Sequence, residues 1–250
     1  MFRQKLMAAA AIAASLIIAV EANAFDGKRD KKPVTFTVRI ENVSDKDGLA
    51  AQDGSRYPFA ISPGVCVVSK DKTEFFKVGK RASSALEAQA EDGDTSLLAA
   101  TLASSAGAAN TGVFNKPVGS NMPGPLLPGG AFEFTFKAVQ GMKLNLAAMF
   151  GQSNDLFYAP AKAIDLFDAK GMPATGDVTS LVQLWDAGTE VNQAPGIGPD
   201  QAPAKKPRTP VRLRKASFIS SRTLLHTRRP KTFCGSLSQL NKGESTPMRS

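Results

Sequence analysis

Apolar and polar residues alternate along much of this chain, and the period of two dominates. Val34, Phe36, Val38 and Ile40 are interleaved with Thr35, Thr37, Arg39 and Glu41, the pattern of a strand that buries one face. Phe132, Phe134, Phe136 and Ala138 alternate with Glu133, Thr135 and Lys137, and Leu144, Leu146 and Ala148 repeat the pattern after Gln140 and Gly141. Residues 131–138 and 142–149 are therefore predicted to form an antiparallel pair across a tight turn. A second hairpin is predicted from 65–69 and 75–78, with 70–74 as its turn, and shorter strands at 157–158, 164–167 and 178–185. Two Ala-rich pieces, 81–90 and 95–106, read as helices, separated by a solvated turn at Glu91, Asp92, Gly93 and Asp94. The segment 42–57 reads as loop, and 110–130 as a long connection anchored by Val113, Phe114, Leu126 and Leu127. About eight short strands with so little helix predict an all-β fold: an antiparallel β-sandwich with one or two short helices in a long connection.

The two ends depart from this pattern. Arg3 and Lys5 precede an apolar run over 6–20, and Ala22, Asn23 and Ala24 form a small-x-small cleavage signal. The run is shorter than the ~20 residues a spanning helix needs, so 1–24 is predicted to be a secretory signal peptide. The mature chain would begin at Phe25 with a flexible charged leader, 25–33. No later segment is apolar enough to span a membrane, and the expected location is the periplasm or the outside of the cell. At the other end Pro195, Gly196, Gly198, Pro199 and Pro203 close a domain predicted over 34–203. The remaining 204–250 is a basic, unpatterned tail, expected to be disordered.

Charge sharpens that division. The tail holds twelve Lys or Arg against Glu244 alone, a net +11, so residues 1–203 carry −2 of the chain's total of +9. The basic balance belongs to the tail, and no nucleic-acid partner is expected for the folded domain. Two readings of the tail stay open: a basic arm for anionic polymers, or an accidental C-terminus such as a shifted reading frame.

Candidate chemistry is narrow. The only histidine, His226, lies in the tail, so the domain has no base for a Ser-His-Asp or Cys-His relay. Gly124 to Gly130 lacks the Lys and Ser or Thr of a phosphate loop. The two cysteines, Cys66 and Cys234, are read as unpaired, Cys66 as a small buried hydrophobe. Two corners gather oxygen: Ser153, Asn154 and Asp155 after one strand, and Asp186, Thr189, Glu190 and Asn192 around Gly188 after another, which ends in the chain's single Trp, Trp185. Two such corners on one scaffold suit a hard cation such as Ca2+. They equally suit turns capped by Asp side chains. A glycosidase acid pair of Asp155 and Asp186 remains open, although one Trp and two Tyr offer little for an aromatic sugar cleft.

The run Trp185, Asp186, Ala187, Gly188, Thr189, Glu190, together with Asp155, Leu156, Phe157 after Ser153 and Asn154, and Leu166, Phe167, Asp168, resembles the spondin domain found in F-spondin, in mindin and alone in bacterial secreted proteins. The resemblance covers about 34–201. It implies a β-sandwich similar to calcium-dependent phospholipid-binding domains, with a divalent cation held at one end. Its ligands would be Glu133, Asp155 and Asp186, supported by Asn154 and Glu190, the latter standing where the family more often has Asp. The implied function is that of a secreted calcium-binding, adhesion-like module without catalytic activity, whose partner is a surface or matrix ligand, glycan or protein. The cysteine pairing and thrombospondin-type repeats of the animal proteins have no counterpart here, and the tail takes the place of the family's final segment.

Overall fold

Strand β5, Ile61–Ser69, is buried along nearly its whole length, because it runs through the middle layer of a three-layer molecule. The structure is a computed structural model that describes residues 14–20, 32–50, 56–70, 73–105, 108–193, 198, 201 and 220–221. Cys66 and Val68 of β5 point into one apolar cluster and Val65 and Val67 into another, as side chains of successive strand residues must.

The first layer is an antiparallel sheet built from β1 (Ala14–Val20), β2 (Val34–Asn42), β7 (Ala131–Ala138) and β11 (Gly176–Asp177), in the order β11-β1-β2-β7. It buries Phe36, Val38 and Ile40 against the second layer and leaves Glu133, Thr135 and Lys137 on its open face. The second layer runs β13 (Ser220–Ser221), β12 (Val182–Asp186), β9 (Leu156–Pro160), β8 (Lys143–Phe150), β5 and β6 (Ala108–Phe114), with β10 (Ile164–Asp165) pairing with β8. A two-strand ribbon, β3 (Leu49–Ala50) with β4 (Arg56–Tyr57), lies in the loop after β2.

Two helices, α1 (Ser84–Asp92) and α2 (Ser96–Ala103), pack on the outer face of the second sheet. Leu86, Leu98 and Leu102 meet Val65, Val67, Phe157 and Trp185 there. Ser83 caps α1 by accepting from the Leu86 N–H at 3.3 Å, and Gly93 ends it in the left-handed region at φ 66°. Asp94 accepts from the Ser96 N–H at 2.9 Å, so the acidic turn between the helices is a capping device. Among the described residues no helix is long and apolar enough to cross a membrane.

The all-β architecture agrees with the sequence pattern; several pairings differ from it. β7 pairs with β2, and β8 pairs with β5 and β9. The turn at Gly141 therefore carries the chain from one sheet to the other and closes no hairpin. The burial patterns explain why: β7 alternates, as in a sheet with one open face, whereas β8 is buried on both faces from Leu144 to Phe150. The predicted hairpin of 65–69 with 75–78 is also absent. β5 is flanked by β6 and β8, and Phe75 and Phe76 pack instead into the helix-side core. In the long connection β6 begins at Ala108, and of the four anchors Phe114 and Leu126 are buried while Val113 and Leu127 are exposed. The buried Asn42 side chain pins that connection by donating to the Phe59 and Leu126 carbonyls at 2.8 and 2.9 Å.

The structured part also extends beyond 34–203. β1 falls inside the stretch read as a signal peptide, and β13 inside the tail, where Ser220 stands opposite Asp186. The rest of the tail, with Cys234 and His226, and the leader residues 25–31 lie outside the described residues.

Candidate functional site

β9 and β12 are antiparallel neighbours, with Leu156 opposite Asp186 and Phe157 opposite Trp185. That register brings the turn before β9 and the loop after β12 to the same edge of the second sheet. The Trp185 indole anchors the pair from the helix side, donating its Nε1–H to the Ala159 carbonyl at 3.0 Å. It is core, as its place at the end of an apolar run implies.

Asp155 is the centre of this corner. Its side chain is 0 % exposed, its Oδ2 accepts the backbone N–H groups of Thr189 at 2.8 Å and Glu190 at 3.0 Å, and its backbone carbonyl accepts from the Ala187 N–H at 3.0 Å. The 186–190 loop is thus wrapped round one carboxylate, and Gly188 at φ 72° makes the wrap possible. Asp186, 2 % exposed, shapes the same loop from inside: Oδ1 accepts from the Gly188 N–H at 2.8 Å and Oδ2 from Asn192 Nδ2 at 2.9 Å. Glu190, 1 % exposed, accepts from Asn154 Nδ2 at 3.1 Å, and Gln201 Nε2 donates to Asn154 Oδ1 at 3.0 Å.

The turn before β9 is itself tied down. Ser153 Oγ donates to the Phe150 carbonyl at 2.6 Å and accepts from the Leu156 N–H at 3.1 Å. Gln152 bridges to the neighbouring loop, accepting from the Ala60 N–H at 2.9 Å and donating to the Pro58 carbonyl at 2.6 Å. Buried charge and amide are tolerable here because every polar side chain named is hydrogen-bonded.

Of the predicted ligand set, Asp155, Asp186, Asn154 and Glu190 come together. Glu133 does not. It sits on the open face of the other sheet, opposite Arg39 in register, with its side chain 46 % exposed and its Oε2 accepting from Arg39 Nη1 at 3.3 Å. Strand alternation places it there: its neighbours Phe132 and Phe134 take the inner face. Arg39 also pairs with Glu41 at 2.6 Å, and these two carboxylates hold its guanidinium above the usual arginine range, Glu41 more strongly. Gln201 and Gln152 are the members of the corner that sequence reasoning missed. Gln201 follows a Pro- and Gly-rich stretch that reads as a chain leaving the domain, and no periodicity marks it.

Among the described residues no group of three or more Asp, Glu, His or Cys side chains stands ready to hold a metal ion. The donor chemistry of the corner still suits a hard cation: it offers carboxylate, side-chain amide and backbone oxygens and no nitrogen or sulfur ligand. Those oxygens belong to Asp155, Asp186, Glu190 and the Asn154 amide, and in the structure each of these side chains accepts hydrogen bonds within the corner. No protein-family model matches the chain, and no curated protein is similar to it.

Proposed function

We propose that this chain is an exported, non-catalytic binding module of the spondin type, in which a calcium ion stiffens the corner formed by the turn before β9 and the loop after β12. The supporting observation is the burial of three carboxylates, those of Asp155, Asp186 and Glu190, at 0, 2 and 1 % exposure on one sheet edge. Removing three carboxylates from water is costly, and a divalent cation is one way to offset it. Glu190 takes the place that the family resemblance gives to Glu133. The ion would draw the two loops together, and the loop surface around Val191, which is exposed, is the part of this corner available to a surface or matrix ligand. A glycosidase acid pair would need both carboxylates open to a substrate cleft, and the burial of Asp155 and Asp186 weighs against that use.

The experiment is a thermal melt of the purified protein in calcium, in magnesium and in chelator. Binding adds stability as RT ln(1 + [L]/Kd), so calcium at about 100 times its Kd should add roughly 2.7 kcal/mol to the parent protein. The gain should vanish in Glu190→Gln while Glu133→Gln keeps it in full. A midpoint that is the same in calcium and chelator would overturn the cation reading.

A further inference from the structure

Strand β1 lies in the stretch whose sequence marks it for removal, yet the first sheet is built around it. It pairs with β2 from Ala14 opposite Asn42 to Val20 opposite Phe36. On its other side Ile17 and Ile18 stand opposite Asp177 and Gly176 of β11. Beyond that short strand the contact continues: Leu16 N–H donates to Thr179 Oγ1 at 2.7 Å, and the Val178 N–H donates to the Leu16 carbonyl at 2.9 Å. Leu16 and Ile18 enter the core between the sheets, at 3 and 1 % exposure, while Ile17 on the other face is only half-buried.

A strand with partners on both sides leaves a slot when it is removed. The walls, β2 and the 176–179 segment, would stand roughly 10 Å apart, twice the spacing of paired strands. Each wall would present backbone N–H and C=O groups with no partner, and the floor would be the apolar residues that Leu16 and Ile18 now cover. That floor has room to spare. A cavity of about 20 Å3 lies between Leu16, Ile40, Leu146, Tyr158 and Val182, and the buried Tyr158 hydroxyl has no hydrogen-bond partner among the described residues.

We infer that the processed chain is a strand acceptor: the slot between β2 and the 176–179 segment takes an extended segment of a different protein, antiparallel to β2, with aliphatic side chains at two positions two residues apart. This rests on the reading of the chain as exported and cut after Ala24. The occupant's chemistry is set by what fills the slot in the structure: main-chain hydrogen bonds to both walls supply affinity, and the two pockets supply selection. The chain's own new N-terminus is a poor substitute, because 25–33 contains no pair of aliphatic residues two apart.

The full chain is expressed with its leader in a bacterial host that exports it, and the N-terminus of the recovered protein is read by mass spectrometry. A labelled peptide carrying the Ala14–Val20 sequence, with two lysines added at each end for solubility, is then titrated into the recovered protein. Saturable one-to-one binding is expected. Replacing both pocket residues of the peptide, Leu16→Asp and Ile18→Asp, should weaken it about 100-fold or more, since a charge cannot be buried there, whereas Ile17→Asp should cost no more than about threefold at a half-buried position. Cleaved protein that does not bind the peptide, whether its own tail or a second copy fills the slot, overturns the inference and leaves the export reading intact. Equal binding of the parent and the two variant peptides also overturns it. Protein recovered with residues 14–20 still attached overturns the export reading and, with it, the open slot.

Discussion

The two sheets handle carboxylates in opposite ways. On the open face of the first sheet Glu41 and Glu133 share Arg39, in water and on long side chains. At the edge of the second sheet Asp155, Asp186 and Glu190 are shut in, and Asp155 and Asp186 accept hydrogen bonds from the backbone of a single tight loop. The first arrangement is dispensable, since exposed ion pairs contribute little after screening and side-chain entropy. In the second, the carboxylate gives the loop its shape, and its loss would strand backbone donors in the interior. A charged residue matters to this fold in proportion to the backbone it organises.

The largest test of that contrast is Asp155→Ala. It leaves two buried N–H groups, those of Thr189 and Glu190, without their acceptor, and should lower unfolding free energy by about 3–5 kcal/mol; denaturant titration would read it. A loss under about 1 kcal/mol would mean that the loop holds its shape by other means. Gly64→Ala probes the buried sheet by packing alone. A Cβ there would lie 2.2 Å from Phe114 Cζ and 2.4 Å from the Ala147 carbonyl oxygen, so the strands must separate, at a cost of about 3 kcal/mol.

Cys66 extends the comparison to pH. Burial between the sheets pushes its thiol up to about 12 from an ordinary 9.0. Between those values the unfolded chain gives up a proton that the folded chain keeps, so stability falls as pH rises, by about 1.4 kcal/mol per unit, with no contribution below pH ~9. In a Cys234→Ser background, the stability of the parent should decline more steeply from pH 9 to 11 than that of Cys66→Ala. Parallel curves would show that the thiol is reached by water. The smallest effect belongs to the open face: Glu133→Gln should change stability by less than about 0.5 kcal/mol, and a larger loss would place Glu133 in a role that its exposure does not suggest.

Much of the fold was legible in the order of residues. The alternation at 34–41 and 131–138 marked two strands with one wet face, and both have it. The two helices, the acidic turn between them and the burial of Trp185 could be read in the same way. Strand partners could not. β7 and β8 follow each other across a turn and look like a hairpin, yet they pair in different layers. Local pattern states how many faces of a strand are dry but not which neighbour covers them.

The candidate site divides along the same line. Asp155 and Asp186 stand out in the sequence because acids beside Gly, Ser and Asn after apolar runs mark strand-to-loop corners. That these corners meet follows from the β9–β12 register, a contact between residues some thirty apart that no local spacing encodes. Glu133 fails for the converse reason: its identity and its strand were right, and its sheet was not. The short apolar run near the N-terminus shows the limit most clearly. By composition it reads as a leader, and in the tertiary structure it is a strand, because a run of seven residues with Leu16 and Ile18 on one side suits both the pattern of an export signal and a place between β2 and β11. Composition and period determine what a segment is able to be; only the surfaces that the rest of the chain leaves uncovered decide what it becomes.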